Sequence, residues 1–559
     1  MKKHLKFLTL TALTSTLISC GGLGPITSTP VSSTSFPEKK ADLTEEQLKM
    51  WGHLDMEKDT VPGMSVQRTY KEIIKNKKGE TVIVGVIDSG VDSEHEDLMN
   101  VLWVNSKEKP GNGVDDDNNG YIDDINGWNF LGDIVGENME YVRILKRLAP
   151  KYEGKQESEI STANRKEYEL YVEVKEKYTE EMQEASQSLM QYQTMYTQIE
   201  AAHQKVVDKL GKEEYTTEDL KTLSGSPEFT NESQMLAYIL SFGEPVPNAL
   251  NELKGGIDYY DSQIENHLNT EVDFRDALGD DPYNLADNKP YGNNQVAGPD
   301  PKKEDAKHGT HVAGIIAAER NNKIGMDGVA QNVEILIARA VPDGDEYDKD
   351  IALAIRYVVD NGAKVINTSF GKYYSPNSEW VYDAIKYAAQ NDVLIVNAAG
   401  NDAYNLDTHE KAVYPNDQDH VSNKEITDNF LTVGALNYVY GDELVAPFSN
   451  YGKSNVDVFA PGMKIWATTP NSEYEYLQGT SMASPGVAGV AAMIRSYFPN
   501  LTAAEVKKVI MDSGIAIQRN VIVGGEGEDV RPFGDLSKSG KIVNMYNAFI
   551  LADKMSRNK

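Results

Sequence analysis

The sequence predicts an α/β fold, a doubly wound parallel sheet with an inserted helical hairpin. Two observations predict it. Short runs of β-branched and aliphatic residues, typical of buried parallel strands, alternate with segments of helical period. Between residues 137 and 281 this alternation stops, and a polar, highly charged stretch of helical period replaces it.

The first predicted strand, 81–88, is a continuous apolar run that ends in the carboxylate of Asp88. Side chains that follow parallel strands gather at the carboxyl edge of the sheet, where active groups of such folds are expected. Helical patterns at 350–361 and 380–390 lie between later strands. Those further strands are predicted at 333–339, 363–367, 393–396, 430–433 and 456–459.

The charged stretch at 137–281 is predicted to be a helical insertion. Apolar residues recur every three or four positions over 165–210, which predicts one helix about 70 Å long. A second stripe, over 250–268, is expected to pack against it antiparallel. Such an insertion suits gating of substrates, docking of a partner or self-association, and the sequence does not choose among them.

Composition excludes several classes of protein. The 559 residues carry a formal net charge of −31, which argues against nucleic acid as a partner because phosphate binding needs clustered Lys and Arg. A hydrophobic content of 40% is enough for a sizeable core. After the N-terminus, the absence of an apolar run of about 20 residues excludes a polytopic membrane protein.

The N-terminus has the pattern of an export signal. Two lysines precede an apolar run over 5–18, and Leu-Ile-Ser-Cys-Gly at 17–21 resembles the bacterial lipobox, in which the cysteine is acylated. This predicts a lipoprotein signal peptide at 1–19, a lipidated Cys20 and a flexible tether over 20–50. The protein is then exported and anchored at a bacterial membrane, in the outer membrane or at the cell surface. An ordinary signal peptide with an incidental cysteine is the alternative.

Three short segments supply the groups for nucleophilic acyl transfer: Asp88 in 86–92, His308 in 308–314 and Ser481 in 479–485. A serine hydroxyl needs a base to take its proton, an imidazole titrates near neutrality, and a carboxylate orients that imidazole. Taken singly, each residue has another interpretation. Asp88 suits a strand-end cap, His308 with His311 a metal pair, and Ser481 a helix N-cap.

Together, these segments resemble the Asp, His and Ser signatures of the subtilisin-like (S8) serine peptidases, over 51–136 and 282–559. The resemblance implies Asp88 as orienting acid, His308 as general base and Ser481 as nucleophile. The segment 396–402 resembles the part of that family that bears the oxyanion asparagine, here Asn401. The resemblance to this family also implies polypeptide substrates and catalysis without a cofactor.

The same resemblance implies a cleft for an extended peptide. One wall is the edge strand Ser369, Phe370 and Gly371, and the opposite wall is Ala398, Ala399 and Gly400. Two positions depart from the usual pattern. Lys372 follows Gly371 where a second glycine is frequent, and Val413 stands where a glycine often floors the specificity pocket. A valine floor makes the pocket shallower and predicts small or medium side chains at the cleaved position.

An acidic loop at 115–124 is a candidate structural Ca²⁺ site. The pattern D-x-D-x-N-G places oxygen ligands at Asp115, Asp117, Asn119 and Asp123, and hard oxygen donors select Ca²⁺. The twelfth position holds Asn126 rather than the usual glutamate, which removes a bidentate ligand. A solvated acidic turn is the alternative interpretation.

Two other functions compete with an endopeptidase: a binding lipoprotein on a catalytically silent peptidase fold, and an esterase that uses the same residues. An intact set of catalytic residues argues against the first, and an edge strand suited to peptides argues against the second. The short distance between Cys20 and the start of the fold predicts that no long N-terminal propeptide is removed.

Overall fold

The computed structural model describes residues 23–286, 291–409, 412–419, 424–525, 527 and 529–559. The signal peptide expected at 1–19 and Cys20 lie outside these residues. The strands of the described chain are β1 Val82–Asp88, β2 Gly127–Asn129, β3 Val333–Arg339, β4 Val365–Thr368, β5 Leu394–Ala398, β6 Gln418–Asp419, β7 Lys424–Glu425, β8 Phe430–Leu436, β9 Val458–Pro461, β10 Ile465–Thr469, β11 Glu473–Leu477, β12 Ile515–Ala516, β13 Asn520–Ile522, β14 Val530–Pro532 and β15 Lys541–Ile542.

Helices lie before, between and after these strands. They are α1 Glu45–Lys49, α2 Val66–Thr69, α3 Glu140–Tyr152, α4 Arg165–Leu210, α5 Thr217–Leu223, α6 Thr230–Leu240, α7 Val246–Ser262, α8 Lys307–Ala317, α9 Asp348–Asp360, α10 Ser378–Gln390, α11 Thr480–Tyr497, α12 Ala503–Ser513 and α13 Met545–Arg557. A π-helical turn, Gln263–His267, continues α7.

The main sheet has the strand order β12-β15-β9-β8-β5-β4-β1-β3-β2. Its neighbours pair in parallel except β12 and β15. The six predicted strands correspond to β1, β3, β4, β5, β8 and β9, which confirms the predicted α/β class. In the register of the sheet, Asp88 at the end of β1 lies beside Arg339 at the end of β3.

Helices cover both faces of the sheet, so its strands are buried on both sides. On one face Val84 and Val86 of β1 join a core with α8 and α11. On the other face Ile87 joins a core with α9 and α10. Gly85 permits the second contact, since a Cβ there would lie 2.9 Å from the side chain of Val358. This close packing fixes where β1 ends, and therefore where Asp88 stands.

The inserted segment forms the predicted hairpin. Helix α4 runs over Arg165–Leu210 without interruption, and α7 packs along it antiparallel, with Tyr192 against Tyr260 near the middle. The hairpin has one apolar cluster around α3 and the start of α4, and a second around α5, α6 and the end of α4. The first cluster includes Tyr373 and Tyr374 of the body.

The N-terminal segment differs from the flexible tether expected over 20–50. From residue 23 onward it lies along α13, where Asn547 accepts from the N–H of Val31 at 2.8 Å and donates to its carbonyl at 2.9 Å. Val31 is 7% exposed, and α1 follows with a Thr44 capping box. None of the helices in the described part of the chain is both long and apolar enough to span a bilayer.

Candidate active site

Asp88 stands at the carboxyl edge of the sheet, as the last residue of β1. Its side chain is 2% exposed, and its Oδ1 accepts the N–H of Ser89 at 2.8 Å. Its backbone carbonyl accepts the N–H of Ala340 at 3.0 Å, which ties the strand end to the residue after β3. These contacts hold the carboxylate rigidly at the position where β1 leaves the sheet.

His308 is brought to Asp88 by α8, of which it is the second residue. Its Nδ1 lies 2.7 Å from Oδ1 of Asp88, across 220 residues of sequence. Because a carboxylate only accepts hydrogen bonds, Nδ1 carries the proton and the lone pair is on Nε2. The approach depends on Gly309, since a Cβ there would lie 2.1 Å from the carbonyl oxygen of Gly90.

The electrostatic surroundings suit His308 to act as a base. Burial alone would lower its pKa, but the charge of Asp88 and the hydrogen bond to it outweigh burial and raise the pKa above the ordinary value. His311, one helical turn on, differs. It is buried between the carbonyls of Ile465 and Glu475, and burial lowers its pKa to about 3. The two backbone carbonyls thus hold the His311 ring in the interior, next to α8's own turn.

Ser481 is the second residue of α11, which packs against α8 and against β1, β4 and β5. Its hydroxyl donates to the carbonyl of Ser369 at 3.1 Å. Among the described residues it forms no hydrogen bond with His308. In the conformation seen here, therefore, the base is oriented by Asp88 while the hydroxyl points toward the edge strand.

Asn401 is oriented by Thr480, the neighbour of Ser481. Its Oδ1 accepts from the N–H of Thr480 at 2.8 Å and from its hydroxyl at 3.0 Å, which fixes which amide atom is oxygen. Its Nδ2 therefore faces the other way. A Cβ placed on Gly479 would lie 3.4 Å from Nδ2 of Asn401 and 3.5 Å from the N of Ser481. Two N–H donors thus border one small space beside the serine.

Several supporting residues were missed by sequence reasoning. Asn450 accepts from the N–H groups of Asp402 and Tyr404 at 3.2 and 2.8 Å and donates to Ala399, so it shapes the loop that carries Asn401. A second network runs from Ser484 through Asn367 to Ser369, whose hydroxyl donates to the carbonyl of Ser481. An asparagine within an apolar strand is a signal for such a network, because a buried amide needs partners.

A cavity of about 250 Å³ opens beside Ser481. It brings together most of the residues expected to bind substrate, and adds Tyr373 and Asp402. Its lining consists of Ser369, Phe370, Gly371, Tyr373, Ala398, Gly400, Asn401, Asp402, Val413, Thr480 and Ser481. Val413 lies within it as expected, and a Cβ on Gly371 would approach its side chain to 3.3 Å.

The two walls of this cavity differ in their free backbone groups. Within the described residues, neither the N–H nor the C=O of Gly371 has a hydrogen-bond partner, as an edge strand that receives a peptide requires. Ala399 does not fit the substrate-binding role expected for it. It is 1% exposed in the apolar core, its N–H donates to Val433 and its carbonyl accepts from Asn450.

The acidic loop gathers a different set of oxygens from the one expected. Glu108, Asp115 and Asp117 offer carboxylate oxygens within 4.8 Å of one another. Asp123 instead accepts the N–H groups of Asn112 and Gly113. The amide oxygen of Asn119 is taken by the N–H of Tyr121. Asp115 and Asp117 of the predicted set thus lie in one cluster with Glu108, seven residues before the pattern begins.

A sequence model described as the subtilase family matches residues 79–534, which include Asp88, His308, Asn401 and Ser481. The chain belongs to the subtilase family. Two curated relatives are a thermophilic serine proteinase of Bacillus sp. (strain AK1), 43% identical over 194 residues, and thermitase of Thermoactinomyces vulgaris, 39% identical over 190 residues. Each alignment covers 34% of this chain, with 43% of the first relative and 61% of the second.

Other proteases are similar over comparable lengths. The cell wall-associated protease of Bacillus subtilis (strain 168) is 35% identical over 245 residues, which cover 44% of this chain and 25% of that protein. A solved protease structure from Pseudoalteromonas arctica shows 31% identity and a TM-score of 0.35, over 44% of this chain and 70% of that one. The chain thus covers 43%, 25% and 61% of the length of the AK1 proteinase, the cell wall-associated protease and thermitase, less than two thirds of each.

Proposed function

We propose that this subtilase is a serine endopeptidase, exported and anchored to a bacterial membrane through a lipidated Cys20. Asp88, His308 and Ser481 form its catalytic triad, and Asn401 with the N–H of Ser481 forms its oxyanion hole. The observation that carries the proposal is the 2.7 Å contact between Asp88 and His308, at the edge of the sheet where α11 presents Ser481. The proteases among its relatives support the same activity.

The chemistry follows from the atoms already described. Ser481 turns its hydroxyl from the carbonyl of Ser369 to Nε2 of His308, which takes the proton as Oγ attacks the scissile carbonyl. Asp88 stabilises the imidazolium through Nδ1. The new oxyanion accepts from Nδ2 of Asn401 and the N–H of Ser481. His308 then protonates the leaving amine, and water hydrolyses the acyl-enzyme by the same route in reverse.

Peptide and ester hydrolysis test this proposal directly. Purified protein is expected to digest casein, and Ser481→Ala to reduce turnover by about a millionfold, the loss measured when a subtilisin loses its nucleophile. Ser241→Ala, at an exposed serine of the hairpin, serves as the matched control. Hydrolysis of esters without casein would favour an esterase. No hydrolysis of either, with a folded protein, would favour a silent binding protein. Both results overturn the proposal.

Anchoring through Cys20 has its own test. The segment from residue 20 to residue 26 spans at most about 20 Å, and the N–H of Ile26 donates to Asp553 on α13. A lipid on Cys20 would therefore hold the body close to the membrane surface. We expect wild type to incorporate labelled palmitate and to sediment with membranes, and Cys20→Ser to do neither. Release of the wild type in soluble, unlabelled form would support the ordinary signal peptide.

Calcium at the acidic loop stays a prediction, now for Glu108, Asp115 and Asp117. Three carboxylates in one cluster are hard oxygen donors that suit Ca²⁺, and the ion would neutralise their mutual repulsion. Its role would be structural, since the loop supplies no group to the cavity beside Ser481. Titration calorimetry is expected to show uptake by the wild type and none by Asp117→Ala. No uptake by either protein would leave a solvated acidic turn.

A further inference from the structure

The three residues after the edge strand contact the hairpin. Lys372 and Tyr374 bond to its helices, and Tyr373 packs against its first apolar cluster and also lines the cavity. Nζ of Lys372, a residue 3% exposed, lies 3.0 Å from Glu140 on α3. The hydroxyl of Tyr374 donates to Glu173 on α4 at 2.9 Å. The helical insertion therefore binds the residues on both sides of Tyr373.

Tyr373 in turn spans the cavity beside Ser481. Its hydroxyl donates to Oδ2 of Asp402, the residue after Asn401. That oxygen lies on the opposite wall, since a Cβ on Gly400 would be 3.7 Å from it. The hydrogen bond thus joins the wall that contains Ser369–Gly371 to the wall that contains Ala398 and Gly400. Tyr404 and His409 border the same ring, with centroids 6.1 and 6.0 Å away.

We propose that Tyr373 is a specificity-determining residue of this site, an inference that rests on the proposed endopeptidase activity. Its hydrogen bond to Asp402 closes the cavity, and we call this bond the latch. The closed latch narrows the cavity for the side chain at the cleaved position, and it occupies one oxygen of the carboxylate that would attract a cationic side chain. With the latch closed, substrates with small uncharged residues before the scissile bond are preferred. Without it, the pocket accepts large or basic residues.

Two variants separate the ring from the hydroxyl. Tyr373→Phe keeps the ring and frees Asp402, so cleavage after Arg relative to Ala is expected to rise about fivefold, the value of one partly exposed ion pair. The double variant Tyr373→Phe, Asp402→Asn is expected to lose that gain. Tyr373→Ala removes the ring, and cleavage after Phe relative to Ala is expected to rise at least about tenfold.

The assay uses full-length protein and peptides that differ only in the residue before the cleaved bond. Tyr374→Phe is the matched control, since it removes a tyrosine hydroxyl that faces the hairpin instead of the cavity, and it should leave these ratios unchanged. Wild-type ratios in both Tyr373 variants, with cleavage after Ala intact, would overturn the latch. Equal changes in Tyr374→Phe would also overturn it, because a general loosening of the strand would then suffice. If the wild type cleaves no peptide, the proposed function itself fails.

Discussion

The strands that carry the active site are held by apolar contacts. The junction, where the helical insertion meets the body, is held by buried ion pairs. β1, β4 and β5 contact their neighbouring helices through aliphatic side chains on both faces. At the junction, by contrast, buried cations meet carboxylates. Arg275 is 3% exposed and bonds Asp350 at 2.5 and 2.8 Å, and Lys349 bonds Asp280 at 2.7 Å. Glu140 similarly receives Arg143 and Lys372.

The two regions should therefore respond differently to pH and to substitution. Apolar packing changes little with pH, so the sheet is expected to hold Asp88 and Asn401 in place over a wide range. Removal of one partner from a buried ion pair leaves a charge without compensation, so single substitutions at the junction are expected to be severe. Substitutions of catalytic residues in the body should therefore reduce turnover without unfolding the protein. Substitutions at the junction should instead lower its stability.

After the loss of Ser481 itself, the largest expected effect is again on chemistry alone. Asp88→Asn places an amide donor opposite Nδ1 of His308 and favours the wrong tautomer, so turnover should fall by about 10⁴-fold with the melting temperature nearly unchanged. Because the carboxylate raises the pKa of His308, the acid limb of the residual activity should move to lower pH. Kinetics from pH 5 to 9 measure both effects. A melting temperature that falls in parallel with turnover would contradict the separation.

Asn401→Ala should likewise spare the fold. It removes one of the two donors beside Ser481, and turnover is expected to fall about 100- to 1000-fold with little change in KM; that range comes from a subtilisin. Asn401→Asp is the informative partner, because it keeps the oxygen that Thr480 holds, removes the N–H groups and places a negative charge beside the oxyanion, so its loss should be at least as large. Steady-state kinetics on one peptide compare the two variants. Equal activity of wild type and Asn401→Asp would exclude the oxyanion role.

Local patterns predicted the sheet and the long helix, because alternation and helical period are properties of adjacent residues. The helix predicted over 165–210 begins and ends there in the structure. What could not be predicted depends on distant partners. Val31 is held by Asn547, 516 residues away, so the segment after Cys20 was expected to be free. Asn450 and the bond from Tyr373 to Asp402 likewise join separate segments.

The junction should respond to the loss of a single carboxylate. Glu140 is 1% exposed, and Glu140→Gln removes the carboxylate that Arg143 and Lys372 share, leaving them the carboxylates of Glu137, 3.8 Å from Arg143, and Asp348, 3.0 Å from Lys372. The free energy of unfolding is expected to fall by about 3 to 5 kcal/mol. Because Lys372 follows the edge strand, KM should rise more than kcat falls. Urea denaturation and kinetics measure these effects, and a wild-type stability would refute the view of the junction as an ion-paired contact.

The smallest effect is a pH dependence of stability. Burial raises the pKa of Glu346 to about 8. Its contribution to the free energy of unfolding is therefore complete below pH 4.5 and is lost as the pH rises through 8. Burial alone would also raise the pKa of Glu140, but Arg143 and Lys372 lower it to about 2, so its contribution is present above pH 4.5 and lost as pH falls toward 2.

Glu346→Gln should therefore lose less stability than the wild type between pH 6 and pH 9. The exposed Glu213→Gln in the hairpin serves as the control, and melting temperatures at the two pH values decide. Equal losses in wild type and Glu346→Gln would show that Glu346 does not cause the pH dependence of stability.

Binding of a partner or of a second copy of the chain by the hairpin stays a prediction.

Labelling with a fluorophosphonate, followed by peptide mapping, tests the central claim most directly. The label reacts with a serine only when a base and an oxyanion hole activate it. We expect a single adduct, on Ser481, that forms far more slowly in His308→Ala and Asp88→Asn. An unlabelled protein, a label on another residue, or labelling of Ser481 at an unchanged rate without His308 would contradict the account.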